Sequence, residues 1–220
     1  MKQSFKILSS HVLRAVHYVF PRHCFGCDLI HEPSKISNLC IFCSSQILAV
    51  SRTTFPNLVG LNIYSCGSYK NLLKRMMIKG KFKRNILCIE IMSEFLFHAF
   101  KQMNEPVDFI TSVPSYYWRS LYRGVDLPAM LATELSGKIG IEYMPHLLTK
   151  TRRVDRQSKM TKLERRKNVV GLFQSNVLVK DKTILVIDDI ITTGSTAIAC
   201  YKALRRQKPR KIIFLTVAKT

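Results

Sequence analysis

Two groups of residues in this sequence of 220 have the type and spacing to do chemistry. The first is Cys24-x2-Cys27, followed after twelve intervening residues by Cys40-x2-Cys43. Two close thiolate pairs can close a tetrahedral shell, which is the geometry Zn2+ accepts in structural sites. Disulfides are one alternative for such pairs, and an iron–sulfur cluster is another. The opening apolar run is interrupted by Lys6, His11, Arg14 and His17 and is followed by no small-residue cleavage site, so it does not read as an export signal. A cytoplasmic, reducing setting is therefore expected, which favours metal over disulfide. His23 is a possible substitute ligand, but four thiolates already saturate the ion. A closed shell leaves no open coordination position, so the expected role is structural.

The second group is Ile184-Leu185-Val186-Ile187-Asp188-Asp189-Ile190-Ile191-Thr192-Thr193-Gly194-Ser195-Thr196. A buried strand is expected to end in two carboxylates and turn through a Thr/Gly/Ser loop into a helix. Ligands of parallel sheets sit at the carboxyl ends of strands. A helix N-terminus offers unpaired amides and a favourable dipole for phosphate. Thr192, Thr193, Ser195 and Thr196 add hydroxyl donors, and Gly194 permits close approach or positive φ. Asp188 and Asp189 repel phosphate but accept hydrogen bonds from a vicinal diol. A sugar diol near a terminal phosphate would satisfy both halves. No Lys follows the glycine and no G-x-G-x-x-G is present, which excludes a P-loop and a dinucleotide fingerprint.

These residues need elements to hold them. Phe5, Leu8, Val12, Val16 and Val19 recur at helical spacing, so residues 1–20 read as an amphipathic helix. Residues 21–50 read as a small cysteine module, and Ser51 to Asn57 as a polar connection. From residue 60 to 220, helix and strand patterns alternate. Leu72, Leu73, Met76 and Met77 mark one helix face, and Ile86–Met103 a longer buried helix. Val107–Val113 reads as a strand closed by Pro114. Asp126 to Lys138 reads as a helix, with Asp126 as its cap ahead of Pro128. Ile139–Leu148 is expected to include a strand, and Thr161 to Asn168 a short charged helix. Ile184–Ile187 and Ile212–Val217 read as strands around a helix at Thr196 to Arg206. The expected class is α/β, a parallel sheet covered by helices on both faces. Cys66, Cys88 and Cys200 read as core residues.

The formal net charge is +21, from 35 Lys+Arg against 14 Asp+Glu. Lys70 to Arg84 holds seven bases and no acid, Lys150 to Lys167 nine bases and two acids, and Lys202 to Lys211 six bases and no acid. Such runs can be solvated helix faces, but three of them point to a polyanion, nucleic acid before membrane. Candidate phosphate contacts are Arg119, Arg152, Arg153, Arg156, Lys159, Arg165, Arg166 and Lys167. Trp118, with Tyr116, Tyr117 and Tyr122, interleaves with cations and offers faces for stacking unpaired bases. No apolar run approaches the roughly 18 residues needed to cross a bilayer.

The segment 184–196 resembles the phosphoribosyl pyrophosphate (PRPP) signature of the type I phosphoribosyltransferases. That resemblance implies that Asp188 and Asp189 hold the ribose hydroxyls, that Thr192, Thr193, Gly194, Ser195 and Thr196 cradle the 5′-phosphate, and that PRPP arrives with Mg2+. Together with the cysteine module it resembles the ComF family of competence-associated proteins. That family's Arg-Gly-Phe-Asn-Gln step is matched here by Arg123-Gly124-Val125-Asp126-Leu127. Its Gln, Glu-Arg and Asn positions are matched by Gln157, Glu164, Arg165 and Asn168, followed by Phe173, and its Lys-aromatic step by Lys81-Phe82. Arg123 and Gly124 then fall on the pyrophosphate side, where Val125, Asp126 and Leu127 depart from the pattern. The resemblance implies a phosphoribosyltransferase-like domain over 60–220. It also implies handling of single-stranded DNA in natural transformation, alongside other DNA-uptake machinery. Two alternatives stand beside it: an active phosphoribosyltransferase with a nucleobase or amine acceptor, and a PRPP-sensing DNA-binding regulator.

Overall fold

The computed structural model describes residues 23–30, 38–45, 50–54, 61–83, 85–115, 126–151 and 171–220. The chain divides into two units, residues 1–46 and 47–220. The expected helices at 1–20 and 161–168 lie outside the described residues. In the first unit, a turn at residues 24–28 is closed by the Asp28 N–H bonding the Cys24 carbonyl (2.8 Å). His23 bridges to Ile30, and a short helix, α1 (Ile41–Ser45), follows Cys40.

The second unit is built on a five-stranded sheet. Its strands are β1 (Ser51–Thr54), β2 (Leu61–Ser65), β3 (Phe109–Ser112), β6 (Thr183–Ile191) and β7 (Lys211–Lys219). Their order is β1-β2-β7-β6-β3, all neighbours parallel except the antiparallel edge pair β1–β2. Two further strands, β4 (Thr149–Lys150) and β5 (Phe173–Gln174), form a separate antiparallel pair. β6 and β7 are apolar at nearly every position because both their faces are covered, as central parallel strands require.

Helices supply the covers. α2 (Asn71–Lys83) buries Leu72, Leu73, Met76 and Met77 along one face, and α3 (Ile86–Met103) is buried along most of its length. α4 (Leu127–Ile139) packs against α3, β3 and β6, while α3 also meets β7. The other face carries α5 (Ser195–Arg205), whose Ala197, Cys200, Tyr201 and Leu204 share a core with Ile184, Val186, Ile212 and Phe214. Asp126 caps α4 through Ala129 N–H (3.4 Å), and Pro128 fills the first turn, as read from the sequence. Cys66, Cys88 and Cys200 are core residues.

Three sequence readings are corrected. Residues 51–54 form an edge strand where a connection was expected. The ladder needs no apolar alternation there, because that side of the sheet is exposed. The strand expected within Ile139–Leu148 is reduced to one parallel bridge, Ile110↔Tyr143. The Met144 N–H makes the bridge's bond to the Ile110 carbonyl (2.7 Å), and Pro145 comes next, a residue confined to the ends and edges of strands. β6 also does not end at the carboxylate pair, because Ile190 and Ile191 continue the ladder opposite Ala218 and Lys219.

Candidate functional site

The carboxyl end of β6, the loop after it and the start of α5 enclose a pocket of about 300 Å³ counted out to solvent. Asp188, Thr192, Thr193, Gly194, Ser195 and Thr196 all line it. Gly194 stands at φ +75°, a left-handed conformation that glycine adopts without a Cβ penalty, and it occupies the N-cap of α5. No side chain caps this helix end. The first intrahelical bond, Ile198 N–H to the Gly194 carbonyl (2.9 Å), leaves the amides of Ser195, Thr196 and Ala197 ahead of it, on residues that border the pocket. Thr193 Oγ1 and Ser195 Oγ are 2.8 Å apart, and the Ser195 amide lies 3.5 Å from Thr193 Oγ1. Hydroxyls and helix-start amides thus converge on one concavity, which is the donor set a phosphate monoester requires.

Asp188 stands opposite Thr216 in the ladder, two residues beyond Val186 of the α5-facing core. Its charge, after burial, raises the Cys200 thiol well above its ordinary value, while Lys150 opposes the rise. Its place in the lining beside Ser195, Thr196 and Ala197, in step with Val186, puts Asp188 on the α5 side of the sheet. Asp189 is buried, donates its N–H to Asp188 Oδ1 (2.8 Å), and is not among the lining residues. Successive strand residues point to opposite faces, which separates the two carboxylates. β7 contributes Phe214 and Thr216, which the sequence reading did not select. Thr216 is buried, with its hydroxyl 2.8 Å from Ser65 Oγ. A lone hydroxyl within Ile-Ile-Phe-Leu-Thr-Val was the available signal.

The four cysteines also come together. Their sulfurs lie within 4.8 Å of one another, and Cys27 Sγ is 3.9 Å from Cys40 Sγ. A tetrahedral Zn–S shell with bonds of about 2.3 Å separates its sulfurs by about 3.8 Å, so the set fits one such ion. Gly26 and Cys40 N–H groups each donate to Cys24 Sγ (3.3 Å), and Cys43 N–H donates to Cys40 Sγ (3.3 Å). Burial resists ionisation of Cys24, but the amides of Cys40, Cys27 and Gly26 outweigh it and bring that thiol to about 6. Burial and the neighbouring sulfurs push Cys43 upward instead. His23 turns its Nδ1 to the Asp28 carbonyl (2.8 Å) and lies outside the cluster.

The remaining sequence candidates, Arg123, Gly124, Trp118, Arg119, Arg152, Arg153, Arg156, Lys159, Arg165, Arg166 and Lys167, lie outside the described residues, as do Tyr116, Tyr117 and Tyr122. No helix among the described residues is long and apolar enough to cross a membrane.

Residues 123–220, which include the pocket, match the phosphoribosyl transferase domain family. Competence protein F of Haemophilus influenzae is 25% identical over 149 residues, covering 64% of this chain and 65% of that protein. DNA utilization protein YhgH of Escherichia coli K12 is 28% identical over 99 residues, covering 45% of this chain and 44% of that one. The chain is therefore similar in sequence to competence protein F and DNA utilization protein YhgH, and its C-terminal part carries the phosphoribosyl transferase domain match. It spans between about half and two thirds of the length of these relatives. Among solved structures, an adenine phosphoribosyltransferase is similar at 15% identity with a TM-score of 0.44, covering 81% of this chain and 89% of that one. The Saccharomyces cerevisiae adenine phosphoribosyltransferase is similar at 16% identity with a TM-score of 0.41, covering 81% and 88%.

Proposed function

We propose that this protein binds PRPP with Mg2+ at the β6–α5 pocket and handles single-stranded DNA in natural transformation. The observation that carries the proposal is the uncapped start of α5, where Gly194, Thr193 and Ser195 share one pocket with Asp188. In this reading the hydroxyls and amides of Thr192 to Thr196 take the 5′-phosphate. Asp188, from the lining, takes the ribose hydroxyls, with the Asp189 N–H holding its carboxylate in place, and Arg123 and Gly124 serve the pyrophosphate. Mg2+ keeps several waters and bridges phosphate oxygens, so it would ride on the ligand more than on a protein cage. The cysteine cluster holds a structural Zn2+, because four sulfurs leave no open position for a reaction.

The DNA half rests on the +21 charge and on relatives named for competence and DNA utilization. A cationic chain should hold a nucleic acid chiefly through phosphates, with affinity that falls steeply with salt. Isothermal titration with PRPP and Mg2+ tests the pocket. Binding heat is expected, and its absence overturns the assignment. A second reading, an active phosphoribosyltransferase, is favoured by the domain match over 123–220. Release of pyrophosphate from PRPP with any member of a base and amine library would establish it.

A further inference from the structure

The basic run from Lys202 to Lys211 lies at the end of the sheet away from the pocket. β6 and β7 are parallel, so Thr183 and Lys211 share one edge while Asp188 and Thr216 stand toward the other. α5 returns the chain from the pocket to that far edge. Five residues of β6 separate Thr183 from Asp188, or roughly 17 Å at about 3.3 Å per residue. At the far edge, Lys180, Lys202, Arg205, Arg206, Lys208 and Arg210 are all exposed. None of the six is ion-paired among the described residues. Asp181 is exposed among them. Two nearby lysines are already neutralised, Lys182 by Asp108 (3.2 Å) and Lys211 by Glu105 (2.7 Å).

The platform beneath these cations is knitted by the backbone. Val179 N–H bonds the Gln207 carbonyl (3.3 Å), Asp181 N–H the Lys208 carbonyl (3.1 Å), and Arg210 N–H the Lys182 carbonyl (2.9 Å). The Gln207 side-chain amide donates to the Ser175 carbonyl. Arg210 is pinned through Nη2 to Thr183 Oγ1 (3.0 Å). Lys208 takes φ +55° and Asp181 φ +60°, left-handed conformations that non-glycine residues adopt at a cost. One or two cations are enough to complement the dipole at a helix C-terminus, whose effect fades beyond the last turn. Six on a fixed platform exceed that need. Beside Lys180, Leu178 is 67% exposed, an apolar surface that an unstacked base can cover.

We infer that this far-edge platform docks the phosphate backbone of a single-stranded nucleic acid, at a distance from the PRPP pocket. The inference rests on the DNA reading above and gives it a surface among the described residues. Its test uses the full chain and a triple variant, Lys180→Gln, Arg206→Gln and Lys208→Gln, with a fluorescent oligothymidylate read by anisotropy across a salt series. For a single strand, each phosphate that is no longer neutralised by a cation takes about 0.7 off the slope of log affinity against log salt, so the variant's slope should be shallower by about 2. Its circular dichroism and its PRPP binding heat should match the parent's. If the parent binds oligonucleotide and the variant keeps the parent's slope, the platform is overturned while the DNA reading stands. If the parent shows no salt-dependent binding, the DNA reading fails and this inference with it. If the variant loses binding to phosphatidylserine vesicles but not to oligonucleotide, the surface belongs to a membrane and the inference is again overturned.

Discussion

At Gly194 a left-handed backbone conformation and the proposed phosphate site coincide, and the two contributions can be separated by substitution. Gly194→Val places a β-branched side chain at φ +75°, which costs at least about 1 kcal/mol and crowds the approach to the α5 amides. Both the melting temperature and the PRPP binding heat should fall. Asp188→Asn keeps the volume and removes the charge. A hydrogen bond to a charged group contributes about 1.5–3 kcal/mol, so PRPP should bind roughly 10- to 100-fold more weakly with the melting temperature nearly unchanged. Calorimetry of both variants checks the pair. Unchanged PRPP affinity in Asp188→Asn would show that this carboxylate does not touch the ligand.

At the scale of elements, the cysteine knuckle and the sheet domain are separate units, and each should respond to its own perturbation. With Zn2+ in the cysteine cluster as proposed, chelation should unfold the segment around Cys24–Cys43 and leave most of the circular dichroism of residues 47–220 in place, because thiolate coordination would supply the folding energy of such a small module. Loss of the whole signal would contradict this. The sheet has its own titrating group in Asp108, which accepts from the Thr183 amide (2.8 Å) and from Lys182 Nζ (3.2 Å). The Thr183 amide foremost holds its carboxyl below the ordinary value; burial, next in size, opposes it, and the hydrogen bond and charge of Lys182 and the charge of Arg210 add to the lowering. A depressed folded pKa stabilises the native state above the unfolded pKa of about 4 and loses that contribution as pH falls through the folded value. Asp108→Asn should therefore melt below the parent at neutral pH, and the gap should close in acid. A gap independent of pH would assign the effect to packing.

These elements also show what could be read from the sequence. Ile184–Ile187 and Ile212–Val217 announced themselves because a strand covered on both faces is apolar without alternation. The caps of α4 were legible because Asp126 and Pro128 act locally. β1 carries Ser-Arg-Thr-Thr and is a strand only because β2 offers its edge at Arg52↔Tyr64. β4 and β5, two residues each, depend on partners more than twenty positions apart. Within the pocket, Asp188 and the loop were legible as a local strand–loop–helix pattern. Thr216 was not, since only the β6–β7 register brings it beside Asp188.

At the scale of the molecule, the net charge of +21 acts on every anion the protein meets, PRPP included, so a shared field must be told apart from true coupling between sites. The pocket and the far-edge platform lie toward opposite ends of β6 and are joined by α5. The platform is fixed by backbone bonds that involve no pocket residue. No element with two arrangements connects them among the described residues, so the expected coupling is small. With Mg2+ and ionic strength held constant, saturating PRPP should change the oligonucleotide Kd by less than about twofold, and oligonucleotide should then change the PRPP Kd no more, because coupling free energy is reciprocal. Anisotropy in one direction and calorimetry in the other check the same quantity. A tenfold shift in both, about 1.4 kcal/mol, would instead identify a PRPP-sensing DNA binder. It would also require that pocket and platform report to one another through the turns of α5.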